Sequence, residues 1–214
     1  MQRSAVERLA ALHPGTEIWW DSSPLIYAAW EAEQRTAWQN RPELLAALDA
    51  LGGFYNLQST IVGCTTNPPL TWGAIEADPG TWDGWTRERA ASAAGDVEEV
   101  VWALYQEVCR RGVAMLDEMF RASGKRYGHI CGQVDPRSVT DCGAMVKQGQ
   151  SLRAIGDNVM IKMPATQEGI EGIRILSGMG ISTNATLSFS VAQSVAVAEA
   201  ARAGFAQAQA AGID

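Results

Sequence analysis

The sequence predicts an α/β fold on a parallel sheet, in the form of a (β/α)8 barrel. Short apolar runs alternate with helical patterns, so consecutive strands run parallel through right-handed crossovers. The last three strand–helix units follow one another at an even cadence. No GxGxxG or GxxxxGK[ST] phosphate loop follows any of the runs, which disfavours doubly wound nucleotide-binding sheets. The 214 residues, 47% hydrophobic and 19% charged, suffice for a single domain over 1–214 with a sizeable core.

The elements follow in order. Arg3 to Leu12 reads as an amphipathic helix stopped by His13-Pro-Gly, and Glu17-Ile-Trp-Trp-Asp21 as the first strand. Ser22-Ser-Pro-Leu starts a helix with proline in its first turn, and helical segments run to about Glu33 and from Pro42 to Leu51. Gln58 to Gly63 is the second strand, leading into the loop Cys64-Thr-Thr-Asn-Pro-Pro. Leu70 to Arg89 reads as helix and loop. Apolar residues at helical spacing from Val97 to Met119 fit one or two helices. His129 to Val134 is the third strand, Pro136 to Ile155 a helix, Val159 to Met163 the fourth strand and Gln167 to Ser177 the helix after it. Ile181 to Leu187 is the fifth strand, and an alanine-rich helix runs from Val191 to Ala211.

Composition excludes several classes. A net charge of -7 without a Lys/Arg-rich run argues against nucleic acid or an anionic membrane as partner. No apolar run is long enough to span a bilayer, and the N-terminus lacks the apolar centre of a signal peptide. Cys64, Cys109, Cys131 and Cys142 are scattered without a CxxC pair, which points to reduced thiols, a cytoplasmic setting and no zinc.

The polar residues of the runs fall where a barrel carries its chemistry, at the C-terminal ends of the strands. They are Asp21 after the first strand, Thr65, Thr66 and Asn67 after the second, Gln133 near the end of the third, and Lys162 near the end of the fourth. Asn184 and Thr186 stand toward the end of the fifth. Alternation puts Asn158, Met160 and Lys162 on one face and Val159, Ile161 and Met163 on the other. Ser182, Asn184, Thr186 and Ser188 share one face of the fifth strand, and Ile181, Ala185 and Leu187 the other. Lys162 is the focus, because an unpaired lysine in an apolar run is costly and a neutral amine can attack a carbonyl to form a Schiff base.

Each residue also has a plainer reading. A strand-end lysine can snorkel to solvent, Asp21 can cap a helix, and Thr65 to Pro68 can form an ordinary turn. His13 and His129 read as structural, and Cys131 as packing with a reactive role as the alternative. The tryptophans read as packing, with an exposed cluster of Trp72, Trp82 and Trp85 as an alternative partner surface.

Five motifs, in order, resemble the transaldolase family of class I Schiff-base enzymes and its fructose-6-phosphate aldolase-like relatives. They are Trp20-Asp21-Ser, Gly63-Cys-Thr-Thr-Asn-Pro68, Gln133-Val-Asp-Pro, Ile161-Lys-Met-Pro-Ala-Thr-Gln-Glu-Gly169 and Gly180-Ile-Ser-Thr-Asn-Ala-Thr-Leu-Ser-Phe-Ser190. The resemblance implies a TIM barrel of the transaldolase type and transfer of a dihydroxyacetone unit between sugar phosphates. It implies Lys162 as the Schiff-base lysine and Asp21 as the acid/base that takes the C4 hydroxyl proton. Asn67 and Asn184 would hold substrate hydroxyls beside Thr65, and Thr186 would help position a catalytic water. No metal or organic cofactor is implied, since the lysine supplies the electron sink.

The chain departs from the family pattern in two ways. Gln133 stands where family transaldolases usually carry a glutamate; a glutamine orients water but exchanges no proton at neutral pH. The aldolase-like relatives carry glutamine there, so the change signals aldolase chemistry or lost activity. The chain also supplies about five βα units and lacks the C-terminal strands that carry the family's phosphate-gripping serine and arginine. The expectation is completion by a homo-oligomer or a complementing chain, or a fragment of a longer product; a non-catalytic chain acting through such assembly is the alternative from another class.

Overall fold

A computed structural model of the chain describes residues 4–13, 15–53, 57, 59–93 and 96–213. Arg3 of the first predicted helix and Gln58 of the second predicted strand lie outside them. Five strands, β1 (Ile18–Trp20), β2 (Ile61–Cys64), β3 (His129–Gln133), β4 (Val159–Pro164) and β5 (Thr183–Thr186), are ordered as in the chain, and the pairings β1–β2, β2–β3 and β4–β5 are parallel. Contacts cluster into two compact units, Met1–Ile130 and Cys131–Asp214, with the division inside β3.

The first unit holds α1 (Ala5–Ala10), α2 (Tyr27–Ala37), α3 (Pro42–Ala50), α4 (Pro68–Glu76), α5 (Pro79–Ser92) and α6 (Val97–Ala122). Prolines at the first turns of α3, α4 and α5 set their starts, since proline lacks the N–H that a first turn leaves unpaired. The Val97–Met119 pattern forms one helix, with Asp96 accepting from the Glu99 N–H at its start. Across the sheet, Trp19, Gly63 and His129 stand in register. Glycine is required between them: a Cβ on Gly63 would come 2.7 Å from the Trp19 ring, which stacks on His129 at 6.2 Å between centroids. Phe120 of α6 meets the same imidazole edge-on, and a His129 ring nitrogen pairs with the Lys125 carbonyl, so His129 is structural. Trp82 is 3% exposed and packs with Ala74, Leu104 and Val108, with the Arg111 guanidinium 4.3 Å over its ring. Trp82 and Trp85 pack as the sequence reading expects; the alternative, an exposed cluster, fails, and of its members Trp72 alone is exposed.

The second unit is a succession of βα units with α7 (Cys142–Arg153), α8 (Gln167–Gly178) and α9 (Val191–Ala210). The helix expected over Pro136–Ile155 divides into a 3-10 turn at Pro136–Ser138 and α7, which Asp141 caps by accepting from the Ala144 N–H. Val159, Ile161 and Met163 are fully buried, as the alternation predicted. Two glycines seat α8 on that strand. A Cβ on Gly169 would overlap the Pro164 carbonyl oxygen, and one on Gly172 would overlap the Met163 methyl. Thr166 joins the start of α8 to its surroundings, accepting from the Gly169 N–H at 3.0 Å and donating to the Val139 carbonyl at 3.1 Å.

β5 is shorter than predicted. Leu187, expected on its packed face, lies beyond the strand with φ 62° and is exposed. The chain turns out of the sheet there, and a left-handed leucine costs about 1–2 kcal/mol that surrounding bonds must offset. Among the described residues no helix is long and apolar enough to cross a membrane.

Gly169→Ala is expected to lower unfolding stability by about 1–3 kcal/mol in urea titration, because the new methyl has backbone rather than a mobile side chain in its way. Gly84→Ala in α5, where a Cβ meets open space, is expected to raise stability by about 0.5–1 kcal/mol.

Candidate active site

The predicted site residues fall into two groups, one in each unit. In the first, Asp21 directly follows β1 and Thr65 directly follows β2, and the pairing of Trp20 with Cys64 sets them side by side. The Thr65 N–H donates to the Trp20 carbonyl at 2.9 Å, and the Thr65 hydroxyl donates to Asp21 Oδ1 at 2.8 Å. One carboxylate oxygen is thereby held, and the exposed side chain keeps the other toward solvent. Capping does not explain Asp21, because Ser23 caps the following 3-10 turn, accepting from the Leu25 N–H at 3.4 Å.

Asn67 does carry the plainer role. It caps α4, with Oδ1 accepting from the Leu70 N–H at 2.9 Å and Pro68 in the first turn. Its acceptor is committed, and among the described residues its Nδ2 donors have no protein partner. Thr66, between the two, is buried.

In the second unit, Gln133 ends β3 and is half-buried. The next residue ties it to β4: the Val134 N–H donates to the Lys162 carbonyl at 3.2 Å. Lys162 is 9% exposed and pairs in register with Asn184; Pro164 pairs with Thr186. In-register residues of parallel neighbours project from the same face, so Lys162 and Asn184 stand on adjacent strands roughly 4.8 Å apart. Thr186 follows two residues along that face. Among the described residues the Lys162 ammonium has neither an ion-pair nor a hydrogen-bond partner. Such a group is a poor structural element and a good candidate for a reactive one.

Asp135, two residues after Gln133, offers no substitute for the family's glutamate. The Arg137 side chain beside it holds its carboxyl below the usual carboxylate range, with Arg137 Nη2 at 2.7 Å from Oδ2. Cys64, Cys109 and Cys131 are buried and in no disulfide, and burial pushes the Cys109 thiol up to about 12. Among the described residues no cluster of three or more His, Cys, Asp and Glu could hold a metal ion.

One residue that sequence reasoning passed over is Gln193, in the first turn of α9. Its amide donates to the Ala165 carbonyl just after β4 and to the Leu187 carbonyl just after β5. The spacing Ser190-x-x-Gln193 is a capping-box pattern and was the available signal.

Parallel strands that alternate with helices, one of them carrying a buried lysine without a protein partner among the described residues, define an α/β-barrel class of fold. Residues 46–211 match the family model Transaldolase/Fructose-6-phosphate aldolase, and the chain belongs to that family. Its βα units form part of a (β/α)8 barrel of the transaldolase type. Among its relatives, Transaldolase 1 of Streptomyces coelicolor is 39% identical over 158 residues, covering 72% of this chain and 40% of the relative. Transaldolase 1 of Streptomyces avermitilis is 37% identical over 72% of this chain and 41% of its own. A transaldolase of Thermobifida fusca is 36% identical over 73% of this chain and 43% of its own. The chain thus spans about two-fifths of the length of the curated relatives it matches.

Asn67→Ala is expected to cost α4 its cap and about 1 kcal/mol of stability, with Asn67→Asp near wild type in the same denaturation assay, because a carboxylate oxygen still caps. Iodoacetamide at pH 8 is expected to modify the native chain at Cys142 alone, slowly, and all four cysteines after denaturation, as read by peptide mass.

Proposed function

We propose that the chain carries transaldolase-type chemistry: transfer of a dihydroxyacetone unit between sugar phosphates through a Schiff base on Lys162. The observation that carries this reading is the unpaired, nearly buried Lys162 in register with Asn184 on β5. In the reaction the amine adds to the ketose C2 carbonyl and water leaves, giving a protonated imine. The C3–C4 bond then breaks and its electrons move into the imine, while Asp21 accepts the C4 hydroxyl proton and an aldose departs. The resulting enamine attacks an acceptor aldehyde through C3, the new alkoxide takes the proton back, and water releases the product ketose and the free amine.

The side chains support these roles separately. Thr65 holds one oxygen of Asp21 and leaves the second to act as base. Asn67 has donors only to offer, which suits a substrate oxygen. Asn184 is assigned a substrate hydroxyl and Thr186 the water of imine formation and hydrolysis. Gln133 can orient that water without exchanging a proton.

That limitation favours a second reading, a fructose-6-phosphate-type aldolase that releases free dihydroxyacetone. The matched family model embraces both activities in its description.

Incubation with fructose 6-phosphate and borohydride is expected to add the reduced donor to Lys162 and nothing to Lys162→Ala. A folded wild-type chain without adduct, or equal labelling of the variant, would sink the Schiff-base reading and leave a non-catalytic chain acting through assembly. Dihydroxyacetone released without an acceptor aldehyde selects the aldolase; its formation in acceptor-bound product alone selects the transaldolase.

A further inference from the structure

Gln193 makes more bonds than a cap requires. Its Oε1 accepts from the backbone N–H groups of Phe189 and Ser190, both at 3.1 Å, and from the Ser190 hydroxyl at 3.2 Å. These, with the Gln193 N–H donating to Ser190 Oγ at 3.1 Å, complete the capping box of α9. The amide nitrogen is not part of that box. It donates to the Ala165 carbonyl at 3.0 Å and to the Leu187 carbonyl at 3.3 Å.

Ala165 is the third residue after Lys162, and its own N–H donates to the Thr186 carbonyl at 2.8 Å. Leu187 follows Thr186 and holds a left-handed φ of 62°. A closed ring of contacts results, from β4 through Ala165 to Thr186, across the strained turn at Leu187, and back through Gln193 to Ala165. The β5–α9 turn has little else to anchor it, since Leu187 and Phe189 are 53% and 86% exposed.

We propose that Gln193 is a positioning residue: its amide nitrogen clamps the C-terminal ends of β4 and β5 together and so sets where Asn184 and Thr186 stand relative to Lys162. The clamp stands on the geometry alone; its effect on chemistry at Lys162 rests on the Schiff-base reading.

Gln193→Glu separates clamp from cap. Glutamate at this position retains the acceptor for Phe189 and Ser190, completes the commonest form of the capping box and suits the helix N-terminus electrostatically. It has no N–H for Ala165 or Leu187 and turns a carboxylate oxygen toward their carbonyls. Two measurements are made on wild type, Gln193→Glu and Gln193→Ala: amide hydrogen exchange by NMR, and borohydride trapping on Lys162 against fructose 6-phosphate concentration. For Gln193→Glu the expected result is wild-type protection at Phe189 and Ser190, with a thermal midpoint lowered by roughly 2–4 °C, the shift expected for losing one net hydrogen bond in a chain of this size. Exchange at Ala165 should rise about tenfold, with a similar rise in the half-saturating donor concentration, the loss expected for one net hydrogen bond. The maximal trapping rate should stay within about twofold, since Lys162 itself is unchanged. Gln193→Ala should lose cap and clamp together.

Wild-type exchange at Ala165 in Gln193→Glu would overturn the clamp and leave a capping residue. Faster exchange with unchanged trapping would overturn the positioning role. If wild type itself gives no adduct, the Schiff-base reading fails, and the exchange measurement alone decides whether the clamp exists.

Discussion

The close seating of α8 on the strand that feeds it is the constraint on which the lysine strand depends. Gly169 lies against the Pro164 carbonyl and Gly172 against the Met163 methyl, so the helix approaches more closely than any side chain at those positions would allow. That approach buries Ile161 and Met163 completely, each worth about 1.5–3 kcal/mol relative to exposure. The gain on one face of β4 makes an ammonium tolerable on the other. A looser α8 would leave Lys162 on a strand with less to hold it.

Polar side chains at the strand ends are held by specific structural bonds. Thr65 binds Trp20 through its backbone and Asp21 through its hydroxyl. Asn67 spends its carbonyl on α4, and Gln193 spends its carbonyl on α9 and its nitrogen on two strand ends. Thr65 thereby leaves the second Asp21 oxygen unused, and Asn67 leaves its own Nδ2, whereas Gln193 commits both its polar atoms. A residue held this way loses little further rotamer freedom when a ligand arrives.

The sequence reveals most of the fold because its strongest signals are local. Buried strands are short apolar runs, and caps and prolines mark the helix starts, so all five strands were legible to within a few residues. Leu187 was misplaced because strict alternation carried the strand past the point where the chain leaves the sheet. Trp82 could be read as packing, but its partners could not be named, because Leu104 and Val108 lie on another helix. Lys162, Asn184 and Thr186 could be put on one face by counting in twos. The Thr65–Asp21 bond could not, since it depends on the register between β1 and β2. Gln193 escaped notice because one half of its bonding is an ordinary capping box, and the other half reaches residues six and twenty-eight positions away.

The cap at Asn67 gives this position a chemical polarity. A free carboxamide reads both lone pairs and protons and tolerates either in a ligand. With Oδ1 turned into α4, only protons are presented outward. Ether, carbonyl and phosphoryl oxygens all satisfy it, whereas an ammonium in the same place meets like partial charge and finds no acceptor. Under the substrate-binding role proposed for Asn67, a helix start would thus act as a filter against amino sugars in the loop after β2.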